Sequence, residues 1–166
     1  MRQPASDISV IIPHLLMGGE PTKETYKLLE EGGVKLIINT KAFPDNRYKT
    51  SIPVENFRAI DAPLFTIPIK DLLRGAMLAA GLIKTGKTVF VHCHYGVHRS
   101  ALMVAAILIA LGHTSEEAVS LIKEGRPRAN PNIFYIKHRI KQFELAWNKL
   151  ADSTTVPKEA AEGETT

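Results

Sequence analysis

The sequence predicts an α/β fold in which a central, mainly parallel (mixed) sheet is flanked by helices. Runs rich in β-branched and apolar residues near 34–39, 55–60 and 88–92 are typical of buried strands. The stretch at 68–84, between the last two runs, has the pattern of a helix, which gives a strand–helix–strand order. Because a chain of 166 residues is near the size of one domain, we expect a single folded unit over residues 1–150.

Capping signals predict a helix before the first of these strands. Thr22 is a good N-cap for a helix at 23–31, and Gly32 and Gly33 end that helix. The strand at 34–39 follows, and the Pro-Asp-Asn sequence at 44–46 predicts a polar turn.

Three more helices are predicted in the C-terminal half. The first is the apolar stretch at 101–111, and the second begins at the capping box formed by residues 114–117 and ends at Gly125. The third, at about 132–150, has apolar residues spaced as on a surface helix that packs on one side. Residues 151–166 are rich in Thr, Glu and Ala and are predicted to form a disordered tail.

The loop between the last strand and the apolar helix carries the candidate chemistry. Its residues 92–100, with the sequence HCHYGVHRS, place Cys93 and Arg99 near its two ends. A loop that runs directly into a helix start turns backbone N–H groups toward one point, and the helix dipole adds positive potential there. We therefore expect the loop to bind a phosphate group, through the following residues: His94, Tyr95, Gly96, Val97, His98 and Arg99.

The side chains of this loop predict covalent phosphoryl transfer. The amides and the Arg99 guanidinium favour the thiolate of Cys93, and the planar fork of Arg99 can bind two phosphoryl oxygens. Gly96 lets the backbone turn close to the ligand. The Ser100 hydroxyl can donate to the sulfur and make it a better leaving group in a second step. We expect this chemistry to need no metal and no cofactor.

The loop resembles the signature of cysteine-dependent protein tyrosine phosphatases: His-Cys, five residues, then Arg-Ser, with glycine in the third loop position. The Gly-Val pair before His-Arg-Ser most resembles the small (atypical) dual-specificity phosphatases. Residues 12–19 are similar to the opening strand and turn of that family, 33–39 to its next strand, and 126–132 to the segment entering its last helix. The resemblance covers residues 8–147 and implies a dual-specificity phosphatase-like fold and a catalytic domain at 1–150.

The resemblance also implies the substrate class and a general acid. It implies hydrolysis of phosphotyrosine, phosphoserine and phosphothreonine in proteins through a cysteinyl-phosphate intermediate. Protonation of the leaving oxygen needs a carboxylic acid, and two candidates precede the loop. Asp71 lies in a first helical turn, where the helix dipole explains it. Asp61 stands 32 residues before Cys93, at the position where the family has its acid, and is the predicted general acid.

The three histidines of the loop also raise the alternative of a zinc site. Their order and spacing relative to Cys93 fit none of the usual paired-ligand patterns, so no metal is predicted. We expect His92 to give structural support by orienting the loop from its strand. His94 and His98 are expected to flank the pocket, where they can add positive charge at acidic pH.

Composition suggests the compartment and the kind of partner. The net charge of +4 is compatible with an acidic ligand. An excess this small is typical of an ordinary solvated surface, so we do not expect binding to nucleic acid. The apolar stretch at 101–111 is too short to cross a bilayer, and the opening residues lack the apolar run of a secretory signal. With Cys93 as its only cysteine, the chain is expected to be a cytoplasmic monomer that acts on a phosphorylated protein, without membrane insertion.

Two other functions remain open from the sequence. The first is hydrolysis of phosphoinositides or another small phosphate ester, although lipid-directed relatives often have lysines in the loop and this loop has none. The second is a non-catalytic phosphate-binding module, against which the presence of Cys93, Arg99 and Asp61 argues. Arg126 and Arg128 either widen a basic rim or serve solubility at a helix end.

Overall fold

The structure of the protein is a computed structural model that describes residues 7–43 and 47–154. Over these residues it contains five strands and five helices. The strands are β1 (Ile8–Ile12), β2 (Leu15–Gly18), β3 (Leu36–Asn39), β4 (Val54–Asn56) and β5 (Val89–His92). The helices are α1 (Lys23–Glu31), α2 (Ile69–Lys84), α3 (Arg99–Ala110), α4 (Ser115–Gly125) and α5 (Phe134–Thr154).

The five strands form one mixed sheet in the order β1-β2-β5-β3-β4. Strands β1 and β2 are antiparallel, whereas β2–β5, β5–β3 and β3–β4 are parallel. The predicted α/β class with a mainly parallel, mixed sheet is therefore confirmed. Because β5 is the central strand, its carboxyl end and the loop that follows lie in the middle of one edge of the sheet.

The sheet separates two apolar cores, because side chains alternate along each strand. In β5, Val89 and Val91 pack with the core that α2, α3, α4 and α5 form, whereas Phe90 packs with Leu29 on the α1 side. Every residue of α3 is buried, and α3 packs against α2, α4 and α5. A helix that is enclosed on all sides is apolar all round, which explains the continuous apolar sequence at 101–111.

The N-cap and capping-box predictions are confirmed. The Thr22 hydroxyl oxygen accepts a hydrogen bond from the Thr25 amide at the start of α1. Thr114 and Glu117 form the reciprocal pair of a capping box at the start of α4. Both caps form between residues three positions apart, so they can be predicted from the local sequence alone.

The strands at the two ends of the sheet differ from expectation. The segment at 12–19 contains β2, but the strand before it, β1, was not predicted; the two are antiparallel, and His14, at a positive φ of 68°, lies in the tight connection between them. Strand β4 ends at Asn56, earlier than the predicted run at 55–60. The Phe57 amide still bonds to Asn39, but the Ala59 carbonyl accepts a hydrogen bond from Arg99 instead of a neighbouring strand.

The last helix is longer than predicted. It continues beyond Leu150 to Thr154, so the first four residues of the predicted disordered tail are helical. The Ser153 and Thr154 hydroxyls donate to carbonyl oxygens of this last turn, which supports the extra residues. The rest of the predicted tail, 155–166, and the predicted turn at 44–46 lie outside the described residues.

Among the residues that the structure describes, no helix is both long enough and apolar enough to span a bilayer.

Candidate active site

Cys93 lies at the carboxyl end of β5, at the point where the predicted loop begins. Only 2% of the residue is exposed. Its sulfur accepts a hydrogen bond from the Gly96 amide at 3.2 Å and lies 3.2 Å from the Ser100 hydroxyl oxygen. Both contacts come from within the loop or the first turn of α3. The structure therefore brings the two predicted partners, Cys93 and Ser100, into direct contact.

The carbonyl groups of the loop point outward, toward the surrounding framework. Four of them in a row accept hydrogen bonds from outside the loop: His94 from the Glu20 amide, Tyr95 from Arg126 and Arg128, Gly96 from Arg126, and Val97 from the Asn130 amide. In a trans peptide the N–H points away from the C=O of the same unit. Outward carbonyls therefore turn the N–H groups toward the loop centre, as an anion-binding loop requires.

Gly96 occupies a position that no other residue fits. Its φ is +63°, in the left-handed region that glycine adopts at little cost. A Cβ added there would lie 2.5 Å from the Gly18 carbonyl oxygen and 2.5 Å from an Arg126 nitrogen. The loop therefore packs directly against the end of β2, and glycine is needed for both reasons.

Arg99 begins α3, and its guanidinium lies beside a cleft. Nη1 donates to the Ala59 carbonyl oxygen at 3.0 Å, whereas Nε is buried and has no hydrogen-bond acceptor among the described residues. The cleft has a volume of about 500 Å³, and its lining residues are Glu20, Lys41, Ala42, Phe43, Arg47, His94 and Arg99. An oxyanion bound in this cleft next to Arg99 would supply the acceptor that a buried guanidinium nitrogen needs.

Asp61 belongs to the group of side chains around Arg99. Its Oδ2 lies 3.9 Å from Arg99 Nε and 3.0 Å from His98 Nδ1, and its Oδ1 accepts a hydrogen bond from the Tyr135 hydroxyl at 2.8 Å. The segment before it was predicted to be a strand but has left the sheet at this point. The other candidate acid, Asp71, lies in the first turn of α2, as predicted.

Tyr135 remains a hydrogen-bond donor over a wide pH range. Burial of the side chain, together with the hydrogen bond to Asp61 and the negative charge of that carboxylate, raises the pKa of Tyr135 to about 12. The Arg99 charge acts in the opposite direction but is the smallest effect. The phenol is therefore protonated at neutral pH.

Arg126 anchors the loop from behind. Its side chain is 2% exposed, and its Nε donates to the Gly96 carbonyl oxygen at 2.7 Å. The other two guanidinium nitrogens each donate to one carboxylate oxygen of Asp7 at 2.8 Å, and one also donates to Ser9. This fork-to-fork pair is a geometry that lysine does not provide. The predicted choice between basic rim and helix-end solubility is therefore wrong for Arg126, because the residue is buried.

Asp7 completes this anchor at the start of the described chain. Its Oδ2 also accepts a hydrogen bond from the Gly19 amide at 3.0 Å. Burial alone would raise the pKa of the Asp7 carboxyl. The Arg126 hydrogen bond and charge, the Arg128 charge and the Gly19 amide together outweigh burial and hold that pKa below its ordinary value of 3.8.

The remaining loop histidines have specific partners. His94 Nδ1 lies 2.6 Å from Oε2 of Glu20, a buried carboxylate whose Oε1 also binds Lys41 and Arg47. His92 is buried and stacks on Phe90 with ring centroids 5.7 Å apart. Rather than simply flanking the pocket, His94 and His98 each contact a carboxylate. In the described part of the chain, no three His, Cys, Asp or Glu side chains form a metal-binding group.

Sequence reasoning missed the residues that support the loop from a distance: Asp7, Glu20, Arg126 and Tyr135. None of them stands next to the loop in the sequence. Arg126 lies in the segment at 126–132 that resembles the phosphatases, which was the one available signal for it. No sequence signal pointed to Asp7, Glu20 or Tyr135.

Comparisons with known proteins agree with this geometry. Residues 15–144 match the family model described as dual specificity phosphatase, catalytic domain. Dual specificity protein phosphatase 1-B of Xenopus laevis is 31% identical over 141 residues, which cover 81% of this chain and 36% of that protein. The chain spans between 22% and 57% of the length of the first curated relatives that it matches.

Solved structures have the same fold. Human DUSP28 superimposes with a TM-score of 0.78 and 20% identity, covering 89% of this chain and 97% of that chain. A structure of PTPMT1 in complex with PI(5)P gives a TM-score of 0.73 and 23% identity, with 85% and 96% covered. The resemblance drawn from residues 92–100 is confirmed, and the chain belongs to the family of dual specificity phosphatase catalytic domains.

Proposed function

We propose that this domain hydrolyses phosphate monoesters of phosphorylated proteins through a cysteinyl-phosphate intermediate on Cys93. The same loop holds a buried sulfur within 3.2 Å of the Gly96 amide and the Ser100 hydroxyl, and a buried Arg99 Nε that lacks an acceptor among the described residues. A nucleophile and an oxyanion clamp in one rigid loop are what phosphoryl transfer needs.

In the first step, Cys93 attacks phosphorus. The S–P bond forms while the bond from phosphorus to the leaving oxygen breaks, and the carboxylic acid of Asp61 gives its proton to that oxygen. The N–H groups of the loop and the Arg99 guanidinium stabilise the charge on the three remaining phosphoryl oxygens. In this proposal the backbone of residues 94–99 binds the phosphate.

In the second step, water hydrolyses the cysteinyl phosphate. The Asp61 carboxylate takes a proton from water, whose oxygen bonds to phosphorus as the S–P bond breaks. The Ser100 hydroxyl donates to the departing sulfur, from its position 3.2 Å away. Inorganic phosphate and the Cys93 thiolate result, so the cycle ends with the enzyme unchanged.

The cleft beside Arg99 supports an extended phosphorylated substrate. Lys41 and Arg47 line it as cations held by Glu20, and Phe43 in its lining is 80% exposed. In a phosphorylated polypeptide, the residues next to the phosphorylated side chain can contact these cleft residues. We propose phosphotyrosine, phosphoserine and phosphothreonine as substrates, and a cytoplasmic monomer as the working form.

Phosphoinositides are the second candidate substrate class. The observation in favour is the fold shared with PTPMT1, whose structure was solved in complex with PI(5)P. The absence of lysine from residues 92–100 favours protein substrates instead. The rates at which the same enzyme hydrolyses phosphopeptides and phosphoinositides distinguish the two substrate classes.

The test is a substrate panel with purified wild type and with Cys93→Ser as the matched blank. The panel contains a phosphotyrosine peptide, a phosphothreonine peptide, PI(5)P in mixed micelles and phenyl phosphate. We expect release of phosphate from the peptides by wild type only, with retained peptide binding by Cys93→Ser. Faster hydrolysis of PI(5)P would support the lipid alternative, and binding without any hydrolysis by wild type would support the non-catalytic module.

A further inference from the structure

Both carboxylate oxygens of Asp61 are held by residues from outside its own segment. The Tyr135 hydroxyl in the first turn of α5 donates to Oδ1 at 2.8 Å, and His98 Nδ1 lies 3.0 Å from Oδ2. His98 belongs to the loop that contains Cys93 and is the N-cap residue of α3. The proposed acid is therefore tied directly to the loop that it would serve.

The segment that carries Asp61 has little packing of its own. Residues 60–65 form neither helix nor strand, and three of their apolar side chains are largely exposed: Ile60, Leu64 and Phe65. One backbone hydrogen bond within the segment, from Phe65 to Ala62, stabilises it internally. Segments with few buried contacts open at low energy cost, so the position of Asp61 depends on hydrogen bonds from neighbouring elements.

Tyr135 and His98 contact each other as well as Asp61. Tyr135 keeps its proton at neutral pH and offers one fixed O–H, and its ring packs edge-on against the His98 ring with centroids 6.1 Å apart. Its oxygen also lies 3.4 Å from His98 Nδ1, so the three side chains form one connected group. Arg99 also faces this carboxylate, with its Nε 3.9 Å from Asp61 Oδ2.

We infer that His98 and Tyr135 are positioning residues that hold Asp61 over the phosphate-binding loop, so that its carboxyl group reaches the leaving oxygen. This inference rests on the proposed function. A misplacement of about 1 Å of a reacting group can lower the rate by about 100-fold. Loss of either short hydrogen bond to Asp61 should therefore slow the step in which Asp61 protonates the leaving oxygen. The effect falls on the step that needs the acid, and not on binding of the phosphate.

Leaving-group dependence separates positioning of the acid from general damage to the loop. p-Nitrophenol leaves without much help from an acid, whereas phenol depends on protonation. We therefore compare kcat/KM, which reports the step in which the leaving group departs, for p-nitrophenyl phosphate and phenyl phosphate in wild type, His98→Ala, His98→Asn and Tyr135→Phe. Asp61→Asn serves as the reference for complete loss of the acid, and His138→Asn, at an exposed histidine on the same helix as Tyr135, is the matched control.

The expected result for His98→Ala is a rise of about 10-fold in the ratio of kcat/KM for p-nitrophenyl phosphate to kcat/KM for phenyl phosphate, which is smaller than the rise in Asp61→Asn. Tyr135→Phe should raise the ratio by a smaller factor with little change in KM. His98→Asn should return toward the wild-type ratio, since an amide nitrogen of asparagine can donate from near the Nδ1 position. His138→Asn should leave the ratio unchanged.

Other outcomes contradict the inference in distinguishable ways. If wild type hydrolyses both esters but His98→Ala and Tyr135→Phe keep the wild-type ratio, the positioning role is wrong and the proposed function stands. If both esters slow equally in His98→Ala and competitive inhibition by tungstate weakens, His98 supports the loop and not the acid. If wild type hydrolyses neither ester, the proposed function fails and this inference fails with it.

Discussion

The Arg126 guanidinium and the Gly96 carbonyl are joined by a buried hydrogen bond of 2.7 Å, which fixes the midpoint of the loop at residues 92–100. The same guanidinium binds both carboxylate oxygens of Asp7, so the loop, the first strand and the end of α4 form one rigid unit. A loop that binds a dianion with backbone N–H groups has to hold its shape without the ligand. The Asp7–Arg126 pair supplies that rigidity.

Arg126→Ala should lower both stability and activity. Removing one partner of a buried ion pair leaves the Asp7 carboxylate and the loop carbonyls without their donor, at a cost of about 3 to 5 kcal/mol in the free energy of unfolding. Urea denaturation measures this cost. The matched control is Arg128→Ala, because Arg128 is 46% exposed and also contacts Asp7 and Tyr95; it should cost less than about 1 kcal/mol. Equal losses for the two variants would contradict the assigned role of Arg126.

Asp7→Asn should change how the free energy of unfolding depends on pH in the acidic range. The pKa of Asp7 is lower in the folded protein than its ordinary value of 3.8, so its charged form contributes stability above that value, and this contribution is lost as the pH falls through the folded pKa. The difference in unfolding free energy between wild type and Asp7→Asn should therefore be constant near neutral pH and shrink below about pH 4. Denaturation curves at a series of pH values test this. A difference that grows toward acid pH would refute the assignment.

Tyr135→Phe should change stability at the alkaline end. Because the pKa of Tyr135 is raised to about 12, its neutral form contributes stability below the ordinary value of 10.0, and this contribution is lost as the pH rises through 12. Ultraviolet titration of the phenols should show a late-ionising step in wild type. That step should be missing in Tyr135→Phe and present in Tyr48→Phe, the control at a partly exposed tyrosine outside the site.

Gly96→Ala should inactivate the enzyme while leaving most of the fold in place. The added Cβ would meet the Gly18 carbonyl oxygen at 2.5 Å, and the backbone φ of +63° would be strained. The loop would have to move away from β2, which displaces its N–H groups. Activity toward phenyl phosphate and competitive inhibition by tungstate should both fall sharply. Gly86→Ala is a control for strain alone, because Gly86 has a φ of +74° and no atom within 4 Å of its added Cβ.

The sequence was sufficient for features that depend on neighbouring residues. Cys93, Gly96, Arg99 and Ser100 lie within one loop and one helical turn, so their spacing alone predicts that they meet. The helix caps at Thr22 and Thr114 are local for the same reason. The parallel order of the central strands followed from the strand–helix–strand pattern.

Features that join distant parts of the chain were not predictable in this way. Asp7 and Arg126 are separated by 119 positions, and Asp61 and Tyr135 by 74, so no local pattern connects them. The early end of β4 has a related cause: the Ala59 carbonyl bonds to the Arg99 side chain, 40 residues later, and a strand prediction based on local composition does not include that competitor. The helical residues after Leu150 were missed for a different reason: their supporting contacts are local, but the composition of residues 151–166 predicted disorder.

Rapid-quench mass spectrometry of the peptide that contains Cys93 can show whether this residue becomes phosphorylated during turnover. Rapid alkaline denaturation of Asp61→Asn during hydrolysis of p-nitrophenyl phosphate should reveal Cys93 carrying one phosphoryl group, because this variant cannot activate the water of the second step. The adduct should be absent from Cys93→Ser. Steady release of phosphate by Cys93→Ser, or turnover by wild type with no adduct on Cys93 under any quench condition, would contradict the account.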